Sequence, residues 1–147
     1  MFTQRLFFLS VLLWGQLALA GNDIEALLQK GYEQTEAGQL DQAEQTLQRA
    51  INIAPDSSLA YTRLGGVKVL AQQYSAGIQD FQQAIMLDQN NATAFVGMAV
   101  AYLHMGDQNL AKAALQEAVR LDPTKKAEID KVLGLIEQRS TSPTATH

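Results

Sequence analysis

Residues 58–91 read SLAYTRLGGVKVLAQQYSAGIQDFQQAIMLDQNN, and this stretch decides the fold because it recurs. Shifted by 34 positions in either direction, it meets residues of similar size and polarity. Ala60 aligns with Ala26 and Ala94, and beside it Tyr61 aligns with Leu27 and Phe95. Towards the end of the period Ala84 aligns with Ala50 and Ala118, Ile85 with Ile51 and Val119, and Leu87 with Ile53 and Leu121. The register runs without insertion through three copies, 24–57, 58–91 and 92–125. A fixed period of this length marks a stack of small units, each burying its apolar face against the next.

Within the period the apolar spacing is helical. Tyr61, Leu64, Gly65 and Lys68 fall at i, i+3, i+4 and i+7, with the aliphatic stem of Lys68 able to extend the stripe. Tyr74, Gly77, Ile78, Phe81 and Ile85 form a second stripe. Between the stripes stand Gly38 in the first copy and Gly106-Asp107 in the third. Glycine at a helix end supplies a left-handed backbone, and Asp107 is placed to accept from the first amides of the next helix. Pro55 and Pro123 close the first and third copies, where a helix must stop. Each copy is therefore a helix–turn–helix hairpin. The second copy has Gln72 in place of the turn glycine and Gln89 in place of the proline. These departures predict a less sharply defined turn and a helix that runs slightly past Leu87.

The pattern resembles the tetratricopeptide repeat family, which reads aromatic-x-x-Leu-Gly-x-x-Tyr, then Ala-x-x-x-Phe, Ala and Pro. The second copy has Tyr61, Leu64, Gly65, Gly77, Phe81 and Ala84 at those places. The third has Phe95, Met98, Ala99, Tyr102, Ala111, Leu115, Ala118 and Pro123, and the first has Leu27, Lys30, Gly31, Ala43, Leu47, Ala50 and Pro55. The resemblance implies an all-α solenoid of three helical hairpins. Gly31, Gly65 and Ala99, with Ala43, Gly77 and Ala111, would stand where paired backbones approach closely. In residues 126–138, Ile129, Val132, Leu133 and Ile136 repeat the stripe of a first helix, predicting a C-terminal capping helix over the last apolar face. Residues 139–147 read as a disordered polar tail.

Ahead of the repeats, Arg5 precedes the apolar run Leu6–Trp14, and Ala18 and Ala20 give a small-x-small pattern before Gly21. Residues 1–20 read as a signal peptide, leaving 21–138 as the repeat domain. The apolar run is short for a membrane span, so no stable membrane insertion is expected after cleavage. The chain has no cysteine, and the compact signal favours the periplasm of a Gram-negative bacterium, with secretion as the other destination. Eleven Lys and Arg stand against 15 Asp and Glu among 147 residues, an acidic balance that excludes a nucleic-acid-binding face.

In the resembled family the first helix of each pair lines the concave side, where ligands sit. Off the packing stripe these helices carry, among others, Leu28 and Tyr32, then Thr62, Arg63, Val69 and Leu70, then Val96, Gly97, Val100, Leu103 and His104. The stretch Ala92–Met105 is apolar almost all round, which normally means burial all round. Two readings follow. Either Leu28, Tyr32, Arg63, Val69, Leu70, Val96, Val100, Leu103 and His104 form an apolar groove for a partner peptide or helix, or the chain or a second copy covers this face. A carboxylate clamp, one binding mode of the family, would need cations where Leu28, Tyr32, Val96 and Val100 stand. Electrostatic contact would come instead from Arg63, Lys125, Lys126 or Lys131. The Gln-rich second helices read as a hydrated convex surface.

Catalysis and metal binding require convergent titratable groups. The histidines are His104 and His147; Val100 and Gln108 occupy the places one turn from His104, which reads as a groove-rim residue. No phosphate loop or nucleophile elbow occurs, and no cofactor or metal is expected. Asn91-Ala92-Thr93 matches a glycosylation acceptor. The reading is a non-enzymatic interaction module or adaptor of the bacterial cell envelope. A self-associating homodimer and a periplasmic holdase are the alternatives.

Overall fold

The computed structural model describes residues 23–141, with side chains as far as Gln138. The signal peptide at 1–20 and residues 142–147 of the tail lie outside the described residues. Seven α-helices follow one another among those described: α1 (23–36), α2 (Leu40–Ile53), α3 (Ser58–Leu70), α4 (Tyr74–Leu87), α5 (Ala92–Met105), α6 (Gln108–Leu121) and α7 (Lys126–Thr141). A 3₁₀ turn, Pro123–Lys125, precedes α7. Each helix packs on its sequence neighbour, and α3 also meets α5, the arrangement of an all-α tetratricopeptide-type solenoid.

Caps and turns set the helix limits. Ser57, Asn91 and Asp107 accept from Ala60, Ala94 and Leu110 amides at 3.2, 2.9 and 3.0 Å, each satisfying one of the donors a helix start leaves open. Gly38 and Gly106 end their helices at φ +72° and +82°. The second hairpin departs from expectation here. Gln72 adopts φ +63° and makes the same pair of closing bonds, its amide to Val69 and that of Gln73 to Lys68 at 3.0 and 2.8 Å. The corresponding bonds at Gly106 and Asp107 are 3.1 and 2.9 Å. The turn is thus equally well defined, because hairpin geometry imposes the left-handed conformation on a glutamine. Nor does α4 run long: it ends at Leu87, like α2 and α6 a helix of 14 residues. The Asp88 side chain accepts from Asn90 at 3.0 Å, making the turn that Gln89 leaves without a proline.

The core follows the 34-residue period. Leu47, Leu64 and Val67 are the largest fully buried side chains. A Cβ on Gly31 would lie 2.7 Å from Leu47, and one on Gly65 would lie 2.9 Å from the Phe81 ring and 3.0 Å from the Gly77 carbonyl. Ala99, Ala43 and Ala111 are buried completely or nearly so. Small residues therefore stand where the paired helices approach, as the period predicts. Ile129 and Ile136 of α7 close the last hairpin, with Val132 and Leu133 partly buried beside them. This helix continues to Thr141, three residues into the stretch read as disordered. The α6–α7 junction is much thinner than the α2–α3 and α4–α5 junctions.

Polar groups tie the second hairpin to the third. The Asn91 amide donates to Ser58 Oγ and Thr62 Oγ1 at 2.9 and 2.8 Å, while those hydroxyls donate to the Ala84 and Ser58 carbonyls. Thr62 is thereby buried and not on the concave surface. With its oxygen capping α5 and its nitrogen on two hydroxyls, Asn91 is committed to the fold and not to a glycan.

Candidate functional site

The first helices bring together most of the residues expected to line a groove. A cleft of about 330 Å³ opens between α1, α3 and α5, bounded by Tyr32, Arg63, Val69, Leu70 and Val100. Its base is Phe81, which reaches from α4 between α3 and α5. A Cβ on Gly97 would lie only 2.3 Å from the tip of this ring. Gly97 therefore lines the cleft, as its place off the packing stripe predicted, and is also the point where the ring packs against α5. At Gly66, by contrast, a Cβ would meet nothing within 4 Å, so bare backbone lines the cleft there. The sequence places Gly66 on the concave side with Arg63 and Val69, but it did not single out Phe81 for the groove; the pairing of this larger ring with glycines at 65 and 97 was the available signal.

Three cleft residues are substantially open: Tyr32 is 48% exposed, Leu70 59% and Val100 39%. Arg63 bridges α1 and α3. Its guanidinium donates to the Leu28 carbonyl and lies 5.6 Å from the centre of the Tyr32 ring. That placement fixes the aromatic at the cleft edge through a cation–π contact. Arg63 is thus first a strut between α1 and α3, and it also lines the cleft.

Two expected residues lie elsewhere. Leu28 is buried at 8% in the core of the first hairpin, because α1 turns this side chain towards α2 and α3. His104, exposed, stacks on Tyr74 of α4 with ring centres 4.9 Å apart and planes within 5°. It lines no part of the cleft. Val96 and Leu103 face α7 and line a second cavity with Val100, so Val100 stands between the two spaces. The terminal helix therefore covers the part of the apolar face that belongs to the third hairpin, and the part between α1 and α5 stays open.

Charge is sparse at the cleft, with Glu36 and Arg63 the charged residues of its lining. Away from it, Lys68 Nζ lies 2.7 Å from Asp80 Oδ2, both side chains largely buried between α3 and α4. Burial pushes the Asp80 carboxyl above its ordinary value. Lys68 opposes that shift without cancelling it, and Glu44 adds to it. Lys126 pairs with Asp130 at 2.5 Å and Lys125 lies 3.9 Å from Asp122. Among the described residues no three His, Cys, Asp or Glu side chains gather as a metal site, and no helix is long and apolar enough to cross a membrane.

Models of the tetratricopeptide repeat match residues 24–57 and 68–136. A BBSome complex member, BBS4 of Xenopus tropicalis, is 33% identical over 78 residues, 53% of this chain and 15% of that protein. The Hsp70-Hsp90 organizing protein of Triticum aestivum is 26% identical over 97 residues, 66% of this chain and 17% of that one. The chain spans less than a fifth of the length of these curated relatives. The Yersinia enterocolitica type III secretion translocator chaperone SycD, in an alternative dimer, superposes with TM-score 0.77 at 19% identity, covering 82% of this chain and 96% of its own. The first TPR of Spaghetti (RPAP3), bound to the HSP90 peptide SRMEEVD, gives 0.76 at 18%, covering 82% and 95%. SycD in complex with a peptide of the translocator YopD gives 0.72 at 20%, covering 79% and 93%. At these identities the structural likeness speaks for fold, and with the matched models it identifies the chain as a carrier of tetratricopeptide repeats built into an all-α solenoid of that type.

Proposed function

We propose that this chain is a non-catalytic interaction module that holds an apolar peptide or helix of a partner protein in the cleft between α1, α3 and α5. The observation that carries the reading is the open group Tyr32, Leu70 and Val100 around a bare backbone floor at Gly66. Apolar side chains grouped around a concavity gain most when a partner removes them from water. The peptide in one structural neighbour, SRMEEVD, is acidic at its end. The cleft here offers one cation, Arg63, already committed to α1, and so suits a neutral, apolar ligand.

The test is photo-crosslinking from Leu70 in the native host, followed by binding measurements with the captured protein. Val100→Glu should abolish that binding while helical content is unchanged; loss of helix would instead make Val100 part of the core. Gly66→Phe should fill the cleft and block binding without a clash in the fold. Capture of the chain's own copies, with a dimer on sedimentation at micromolar concentration, would replace the partner by a second subunit. The dimer in one SycD structure motivates that arm.

The setting we propose is the bacterial envelope, with residues 1–20 removed on export. The support is sequence: the apolar run Leu6–Trp14 and the Ala18-x-Ala20 pattern. Sequencing the N-terminus of protein recovered from the periplasm should give Gly21; recovery from the cytoplasm with Met1 intact would overturn the proposal.

A further inference from the structure

Helices α3 to α6 each pack between two sequence neighbours, whereas α7, among the described residues, has the stack on one side. It meets α6 and the 3₁₀ turn through a thinner junction than the hairpin helices make with one another. Its buried apolar side chains are Ile129 and Ile136, with Val132 and Leu133 partly buried and Leu135 60% exposed. Where its stripe faces α5, an apolar space of about 270 Å³ remains, lined in part by Val96, Val100 and Val132. Side chains around such a gap forgo the attraction that close packing gives. Lys112 Nζ lies 3.2 Å from Glu137 Oε1, a solvent-accessible ion pair that adds little hold.

The pivot ahead of α7 does not depend on these contacts. Asp122 accepts from the Thr124 amide and hydroxyl at 3.1 and 2.5 Å, and the Lys125 amide donates to the Asp122 carbonyl at 3.2 Å. Pro123 fixes the backbone at the first position of this turn. The bonds lie within residues 122–125, so α7 can leave the stack without breaking them. Once undocked, a helix of 16 residues is at the edge of what water supports, and Gly134 in its interior weakens it further. Leaving the stack and losing the helix are then one event.

We infer that α7 is a hinged cap that opens as one unit while α2 to α6 stay folded, and that it gates the length of the groove. Val100 lines both the cleft and the space under α7. Opening therefore joins Tyr32, Leu70 and Val100 to Val96 and Leu103 in one apolar face, and closing shortens that face to the cleft. The gating rests on the reading of the cleft as a binding site; the opening does not.

The test is native-state hydrogen exchange of the full chain in low urea, read amide by amide by NMR. Amides 130–138 should share one opening, about tenfold or more easier than that of α3 and α4 and little changed by urea, since a single helix exposes little surface. Ile136→Ala should ease this opening by a further factor of about ten or more and leave α3 unchanged. Val132→Phe, which fills part of the space, should make it harder severalfold. If Ile136→Ala does not fold, the parent's exchange pattern and Val132→Phe still decide. Protection that falls residue by residue towards Thr141 would be end fraying, and exchange of α7 in step with α5 and α6 would make it part of one cooperative unit; either overturns the cap. For the gating, Val96→Cys puts a single thiol under α7 in a chain without cysteine. Its labelling by fluorescein maleimide should slow severalfold with Val132→Phe. A labelling rate indifferent to that change would show that the α5 face is reached with α7 in place, and would overturn the gating. Neither readout needs a partner, so failure here is distinct from failure of the cleft as a binding site.

Discussion

The second and third hairpins carry the same pattern at different sizes. In the third, Ala99 and Ala111 face each other and Leu115 fills the space between helices. In the second, the corresponding residues are Gly65, Gly77 and Phe81, and a Cβ on either glycine would come within about 3 Å of the other's carbonyl. The larger side chain is accommodated by removing Cβ atoms around it. The compensation reaches into the next repeat. The position 16 residues after Leu47 is Arg63 and that after Leu115 is Lys131, but after Phe81 it is Gly97, under the ring tip. One Leu-to-Phe change thus accounts for a glycine in another hairpin, and the same ring becomes the base of the cleft.

The largest test of this contrast is Phe81→Ala, which removes the ring from between Gly65 and Gly97, neither of which can fill the space. A cost of about 3–5 kcal/mol is expected by chemical denaturation. Gly97→Ala should cost about 1–3 kcal/mol from overpacking, although alanine is the better helix former. Gly66→Ala, with open space before its Cβ, should instead gain up to about 1 kcal/mol. Combining Phe81→Leu with Gly97→Ala should recover more stability than the two single changes allow if they add. Strict additivity would disconnect the ring from Gly97.

A smaller difference lies in the caps. Asn91 and Asp107 both start a helix of the third hairpin, but only Asn91 also donates to two hydroxyls of the second. Asp107→Ala should cost about 1 kcal/mol as a cap loss. Asn91→Ala should cost more, about 2 kcal/mol, since it also leaves Ser58 and Thr62 without their donor. Equal costs would reduce Asn91 to an ordinary cap.

The turns give a change of opposite sign. Gln72 sits at φ +63°, where Gly38 and Gly106 occupy the same conformation without a Cβ. Left-handed backbone costs a side-chain-bearing residue roughly 1–2 kcal/mol, of which glycine returns part through greater unfolded-state freedom. Gln72→Gly should therefore raise stability by about 0.5 kcal/mol, seen as a higher melting temperature, and Gly106→Gln should lower it.

The fold was legible because its determinants are local and repeated: small residues at fixed offsets, stripes at helical spacing, and turn residues such as Gly38 and Gly106-Asp107 between them. Gln72 misled because turn chemistry read from one residue ignores the two packed helices that impose the conformation. The site was less legible. Helical phase placed Tyr32, Leu70 and Val100 on one side, but it could not show that Leu28 turns inward or that Thr62 is claimed by Asn91. Those outcomes depend on distant residues: Leu28 joins a core with Leu47, Leu64 and Val67, and Thr62 is held by Asn91, 29 positions away. His104 was read with the groove because it shares α5 with Val100, yet the ring of Tyr74 on another helix holds it elsewhere.

The last contrast is electrostatic. Third-hairpin charge pairs such as Glu117–Arg120 are solvent-exposed, whereas Lys68–Asp80 lies between the helices of the second hairpin. Burial outweighs Lys68 and leaves the Asp80 carboxyl raised from its ordinary 3.8. A carboxyl that holds its proton more tightly when folded disfavours folding as pH rises. The unfolded chain releases its proton first, near the ordinary value, and the penalty is complete once pH exceeds the raised folded value. Asp80→Asn imitates the protonated form. Its melting temperature should exceed that of the parent at about pH 7, and the advantage should shrink to nothing as pH falls below about 3. Glu117→Gln, acting on a carboxyl that Arg120 holds low, should show no such gain at neutral pH. A parent more stable than Asp80→Asn at neutral pH would mean that the ion pair with Lys68 outweighs burial, and that the second hairpin is held by charge as well as by its glycines.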